Sequence, residues 1–456
     1  MTAQWPAKEG RGVELFILGA FTAQLIAFVA LGAPLWTPLA VGLALFWAYG
    51  LVRGSGPREL ARMTLSGVST ARGVLESFVL IGVLTALWRA DGTIAQIVAM
   101  TTPYVTPALA PIACFLLCGL VSYLMGTSFG TAATMGTVCG MVARSMGANP
   151  VLYGGAILAG CYFGDRCSPV SSSALLVRTV TGTSLRDNLS AMMRTAAVPL
   201  AASVAAYAAL GALLAPASSS SGSEAASVLL SAFGDNPWAL VPAAIILVLP
   251  LMGLGMKRCM AASCIAAAVV CVACRGAGVP DLLRWAALGY SDPNVAVAAI
   301  MDGGGVASMI NVSVIVSLSS SYAGIFEGTG LVDGVRGAVS RVGESLGPFA
   351  AVLAVGIPAS MIACNQTLAI MLTQQLCSPV EADPQKLAID LENGPVVISP
   401  LVPWSIAGTT ILSFAGAPGT GQIAAIYLWL IPLWHLFCRS RNFFQKSTCK
   451  VAHASV

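Results

Sequence analysis

Residues 151–180 read VLYGGAILAGCYFGDRCSPVSSSALLVRTV, and how this stretch is read decides the fold. VLYGGAILAGCYF and the later ALLV suit hydrocarbon, yet GDRCSPVSSS puts an acid, a base, a proline and a run of hydroxyls between them. An unpaired polar group in hydrocarbon costs several kcal/mol. Irregular backbone persists there only where protein buries it or where it lines a cavity. Pro169 removes a backbone donor and clashes with the preceding turn, leaving carbonyls free. The stretch therefore reads as a membrane helix interrupted near its middle.

The rest of the chain supports that reading. Of its 456 residues, 57% are hydrophobic and 9% are charged, against roughly 25% charged in soluble domains. Apolar runs long enough to span a bilayer recur along the whole length, without the short alternating segments of a β-barrel. The expected fold is all-α: a polytopic membrane protein of roughly 11 to 14 spans. The net charge of +4 is no nucleic-acid footprint, because the basic residues lie between apolar runs. GTGLVDG and GAPGTGQ lack the Lys-Ser/Thr of a nucleotide-binding loop, which argues against ATP-driven pumping. The cysteines include Cys114, Cys118, Cys161 and Cys271 inside apolar runs, where a thiol acts as a small hydrophobe. His435 and His453 both lie near the C-terminus, away from the expected core.

Basic clusters set the orientation. Arg53, Arg58, Arg62 and Arg72 read as one cytoplasmic loop, and Arg178, Arg186 and Arg194 as another. Lys257 with Arg258, Arg336 with Arg341, and the tail Arg439, Arg441, Lys446 and Lys450 fall on the same side, which puts both termini in the cytoplasm of an inner-membrane protein. The Ser-rich segment 215–237, without Lys or Arg, reads as an external linker. Residues 73–178 and 306–411 carry the same elements in the same order. Each has an apolar span, a glycine-containing acidic segment (DGTIAQIV, EGTGLVDGV), a span ending SYLMGTSFGT or SMIACNQT, and an interrupted span with CSPV or ISPL. The charge pattern starts one copy inside and the other outside, the inverted repeat of secondary transporters. The expected units are 1–72 (two helices and a basic loop), 73–194 (first repeat), 195–305 (connecting helices), 306–415 (second repeat) and 416–456 (last helix and tail).

The interruptions are the candidate site. Carbonyls released at Pro169 and at Pro400, with Pro403 close behind, suit a hard cation. Ser168, Ser171, Ser172 and Ser399 add hydroxyls, and Asp165 and Glu392 add carboxylates that Na⁺ and H⁺ compete for. A Na⁺ site at Asp165, Ser168 and Ser399 is the expectation. Thr127, Ser128 and Thr131, together with Asn365, Gln366, Thr367 and Asn393, are candidate substrate-binding groups. GTSFGT also fits simple small-residue helix packing. Arg166 has three readings: counter-ion to Asp165, a side chain snorkelling to water, or a clamp on a substrate carboxylate. Glu76 is expected at the interface, and Asp302, Asp333 and Glu344 in loops.

At these residues the chain resembles the NhaC-type sodium/proton antiporter family, within the larger ion-transporter superfamily. The resemblance covers roughly residues 70–440 and is strongest at GTSFGT, GDRCSPVSSS, DGGGVASM and SPLVPW. Gly164, Asp165, Ser168, Pro169 and Ser171 match the family's first interruption, with Arg166 in place of Lys. Ser172, Asn365 and Asn393 stand where acids are usual, and Ser405 replaces a common Asn. The resemblance implies a Na⁺/H⁺ antiporter of alternating access without a resident cofactor. The neutral replacements favour, as alternative, a Na⁺-coupled carrier of an amino acid or small carboxylate. Lipid and a second copy of the chain are the expected partners. An intramembrane serine hydrolase using Ser128 or Ser172 would need a Lys base, and no Lys occurs between Lys8 and Lys257. Paired broken helices in inverted halves also suit a carrier better than a passive channel.

Overall fold

The computed structural model describes residues 11–31, 33–101, 104–215, 221–329, 347–363 and 365–453. Among them the chain is helical, and its β content is one isolated Tyr290–Gly303 bridge. It is an all-α, polytopic integral membrane protein. Arg72–Ala90, Leu185–Leu214 and Lys257–Arg275 are each long and apolar enough to cross a bilayer. Two bent helix pairs are long and apolar enough only when taken together: Ala226–Phe233 with Pro237–Pro250 at 114°, and Pro384–Leu401 with Ile406–Phe414 at 59°. Shorter apolar helices, among them Trp36–Val52, Ala110–Met125 and Pro348–Met361, fill the bundle.

Two segments read as loops are helical. Pro57–Thr70, expected as a basic loop, is an amphipathic helix lying against Ile310–Thr329. A Cβ at Gly67 would overlap the backbone of Ser320 and Ser321, so these helices touch nearly backbone to backbone. Within the Ser-rich linker, Ser221–Phe233 is a helix, while residues 216–220 lie outside the described residues, as do Asp333, Glu344, Arg336 and Arg341. Asp302 lies beyond the Val295–Met301 helix, where its carboxylate accepts from Ser291 Oγ (3.1 Å) and Asp292 N (2.9 Å). Glu76 is half-exposed and pairs with Arg72 (2.8 Å) and with Lys257.

The helix that carries Asp165, Pro150–Cys167, begins on Asn149, whose side chain caps Val151 N and Leu152 N, with Pro150 in the first turn. It packs along Ala110–Met125 more extensively than any other pair of described elements. Gly160 and Gly164, four apart and so on one face, make this possible. A Cβ at Gly164 would overlap Tyr123 N and the Ser122 side chain, and one at Gly160 would overlap Phe115 O. Ser122 Oγ then donates to Cys161 O at 2.5 Å across the seam. Gly164→Val should therefore force the two helices apart at a cost of about 3 kcal/mol, read as a lowered unfolding midpoint in detergent. Gly19→Ala, at a helical glycine with nothing within 4 Å, should leave that midpoint unchanged or slightly raised.

Candidate functional site

Four helix interruptions form the site region, two in each half. The first separates Ala110–Met125 from Ser128–Thr131: Gly126 turns left-handed (φ 64°), and Thr127 becomes an N-cap whose hydroxyl accepts from Gly130 N at 3.3 Å. GTSFGT is thus a chain break and not only a packing stripe. Beyond it a π turn, Ala132–Gly136, leads into Thr137–Ser145. The matching break in the second half separates Pro348–Ala363 from Gln366–Cys377, with Asn365 as N-cap accepting from Leu368 N at 3.2 Å. The two cap backbones are nearly superposable, Thr127 at φ −149°, ψ 122° and Asn365 at φ −150°, ψ 138°.

The Ser-Pro breaks complete the set. Pro150–Cys167 stops at Ser168, whose hydroxyl takes Val170 N at 3.3 Å. The chain restarts at Ser172 under a cap from Ser171, whose oxygen accepts from Ser173 N and Ala174 N. In the second half Pro384–Asn393 ends at Gly394, and Pro395–Ile398 with a tight Ser399–Leu401 turn follows. Ile406–Phe414 restarts under Ser405. Here the carbonyls at the turn are already engaged: Gln422 Nε2 donates to Pro400 O (3.0 Å) and Val402 O (2.9 Å). Ser399 Oγ donates to Ser360 Oγ at 3.1 Å, and the half-buried Pro403 lies between the turn and Ser405.

Asp165 sits where the breaks of the first half meet. It is 2% exposed and accepts from Ser171 Oγ at 3.0 Å. Ser128, just past the Gly126 break, faces the same carboxylate with its backbone N–H and its hydroxyl. Ser173 joins through Ser171 at 2.9 Å. The hydroxyls around the acid therefore come from Ser128 and Ser171. Ser172 is exposed and is not brought to Asp165, and among the second-half amides Thr367 is also exposed. The reason is helical phase: residues 171 and 173 cap and face inward, while 172 points outward. Thr131 is buried with its hydroxyl on Thr127 O at 2.9 Å, and Gln366 Nε2 reaches Val396 O at 3.1 Å.

Arg166 is wholly buried and turns away from Asp165 towards the second half. Its guanidinium donates to Glu392 O (3.3 Å), Met192 O (3.4 Å), Tyr427 Oη (3.3 Å), Thr195 Oγ1 (3.0 Å) and Asn393 Oδ1. Tyr162, one turn earlier, donates to Ala407 O at 3.3 Å. One helix end thus grips the second broken helix on both sides of its break. Glu392 is wholly buried, and among the described residues neither carboxylate oxygen has a hydrogen-bond partner; the same holds for Asn393 Nδ2 and Thr410 Oγ1. Its carboxylate interacts coulombically with Arg166 and with Asp165. On the opposite face of the same helix, Asp390 takes His435 Nε2 (2.8 Å) and Arg439 (2.6 Å and 3.2 Å). His435 is thereby buried in the bundle despite its place near the C-terminus.

The site thus holds two buried carboxylates and one buried guanidinium. Sequence reasoning singled out both acids as candidates and left Arg166 with three readings. It missed Gln422, Thr410, Thr195 and Tyr427; a lone amide or hydroxyl in an apolar run was the available signal for the first two.

The pattern of the Na⁺/H⁺ antiporter family matches residues 160–437. The Malate-2H(+)/Na(+)-lactate antiporter of Bacillus subtilis is 24% identical, the match covering 91% of this chain and 91% of the relative. For the Na(+)/H(+) antiporter NhaC of Alkalihalophilus pseudofirmus the figures are 23%, 92% and 93%. For the Arginine/ornithine antiporter ArcD of Halobacterium salinarum they are 26%, 88% and 85%. Since the family pattern spans more than half of its length, including both Ser-Pro breaks, the chain belongs to the Na⁺/H⁺ antiporter family.

Proposed function

We propose that the protein exchanges Na⁺ for H⁺ by alternating access, with Asp165 and Glu392 as the groups for which the two cations compete. The carrying observation is the charge balance of the buried site. Arg166 offsets one carboxylate, and the excess negative charge has no partner among the described residues. An uncompensated carboxylate away from water is too costly to persist, so the site must take up a metal cation or a proton. Either one neutralises it, and they exclude each other. Ser128 and Ser171 supply the hydroxyl oxygens a hard cation needs beside Asp165. The Ser168 hydroxyl is engaged in its own turn and that of Ser399 on Ser360 of the neighbouring Pro348–Ala363 helix, so their part in this reading is to hold the breaks open. The pattern of basic residues supports both termini lying in the cytoplasm of an inner membrane, and the matched breaks support two inverted repeats, 73–194 and 306–415.

A second reading has one specific support. Asn365, Gln366 and Asn393 are neutral amides, and Asn393 Nδ2 is buried without a partner among the described residues. An amide donor beside Arg166 fits a carboxylate-bearing solute, and two of the relatives carry organic acids or amino acids in their names. On this reading Na⁺ moves together with a small organic acid or amino acid.

Purified protein in vesicles separates the two. On the exchanger reading, added Na⁺ drives proton efflux with no organic solute present; a requirement for such a solute would refute it. Asp165→Asn and Glu392→Gln should each abolish Na⁺-driven proton movement while the protein still inserts and elutes as the wild type does. Competition for the same carboxylates also fixes the pH dependence. In the acid range the apparent Na⁺ affinity should fall by about tenfold per pH unit, as one proton displaces one ion. An affinity that stays flat with pH would show that the two cations do not share a site.

A further inference from the structure

Beside the Gly126 break lies a cavity of about 620 Å³, far larger than one bare cation needs. Val74, Phe129, Ala133 and Phe414 give it apolar walls. Its mouth is basic: Lys257 and Arg258, in the first turn of the Met256–Arg275 helix, line it and are both exposed. Glu76 is shared between Lys257 and Arg72, and Arg258 has no ion-pair partner among the described residues, so three cations face one carboxylate. Just before that turn, Met252 and Leu254 are 69% and 40% exposed. Apolar side chains turned outward beside uncompensated bases mark a rim where headgroups meet acyl chains.

We infer that this cavity binds an anionic phospholipid, its phosphodiester held by Lys257 and Arg258 and one acyl chain lying against Val74, Phe129 and Phe414. Each part of the lipid meets a matching surface. The guanidinium fork and the ammonium suit phosphate oxygens, and the hydrocarbon walls suit a chain. The mouth lies on the side that the pattern of basic residues assigns to the cytoplasm, where anionic headgroups attract such clusters. The site is separate from the carboxylates of the exchange reading and does not depend on it. It does touch the segment that restarts after the Gly126 break: Phe129 and Ala133 belong to that segment, as does Ser128, which faces Asp165. A chain lodged against them props the restart in place, so the bound lipid holds the first-half break in this geometry.

Thermal unfolding of the full chain in detergent tests this, with dioleoylphosphatidylglycerol as probe and dioleoylphosphatidylcholine and inorganic phosphate as references. The anionic lipid should raise the midpoint and saturate, since a ligand of the folded form stabilises it, while the zwitterionic lipid and phosphate should not. Arg258→Gln, at an exposed side chain that the fold does not use, should weaken the apparent affinity by about tenfold, the loss of one charge-assisted contact. Arg186→Gln, at an exposed base assigned to the same side but outside the cavity, should leave the affinity unchanged. Val74→Trp, which fills the cavity from its wall, should weaken the lipid while Arg258 stays in place. An equal shift with phosphatidylcholine or with phosphate would overturn the assignment. So would wild-type affinity in Arg258→Gln, an equal loss in Arg186→Gln, or full affinity in a folded Val74→Trp. Vesicle exchange that fails while phosphatidylglycerol binding persists would refute the exchanger and leave this site standing.

Discussion

The buried guanidinium of Arg166 is the constraint around which the transport core is arranged. A charge that far from water is tolerable only inside a complete set of acceptors. Here the set is drawn from Leu185–Leu214, from the last helix and from both residues preceding the second break. Satisfying it therefore fixes where Pro384–Asn393 lies relative to Pro150–Cys167. The chain positions that carry the acids, 165 and 392, are set against each other by the residue next to one and the residue next to the other. A side chain that the sequence left with three readings proves to join the two halves.

The helix breaks serve this arrangement in unequal ways. In the first half, Gly126 and Ser168 end two helices so that Ser128 and Ser171 meet at Asp165. The second Ser-Pro break contributes less oxygen than its proline implies, because Gln422 occupies the carbonyls of Pro400 and Val402. A Cβ at Gly408 would overlap both Gln422 Nε2 and Pro400 O, which leaves no room for any larger residue at that position. Carbonyl groups exposed at the turn thus become part of the scaffold in one half. Glu392, whose two oxygens have no hydrogen-bond partner among the described residues, lies two residues before Gly394, and the glycine lets the chain turn away immediately after the acid.

Much of this was legible in the chain because membrane burial makes polar residues conspicuous. Pro169, Pro400, Asp165 and Glu392 stand out against hydrocarbon-like neighbours, and two similar interruptions at similar spacing pointed to matched halves. What the chain did not disclose are pairings across hundreds of residues, such as Arg166 with Tyr427 or Tyr162 with Ala407, since no local pattern encodes a partner. Phase was a second limit: three serines in a row look alike, but the cap at Ser171 turns Ser172 outward. Pro57–Thr70 passed for a loop because its basic residues masked the narrow stripe in which Leu60 meets Gly50 of Trp36–Val52 and Met63 and Gly67 meet Ile310–Thr329.

On the proposed exchange at Asp165 and Glu392, the charge imbalance also explains how such a core can exchange ions without leaking them. Passing from one access state to the other takes the site through a stage closed to water on both sides. A bare site carrying an excess negative charge pays the full desolvation cost there, and that cost rises steeply as the surroundings lose polarity. With a cation or a proton in place the charge is balanced, and the remaining polar groups keep their partners: Arg166 in its acceptor set, Gln422 on its carbonyls. The occupied states can therefore cross and the empty one cannot. Strict exchange then follows from burial plus one unpaired carboxylate, with no separate gate required to forbid the empty return.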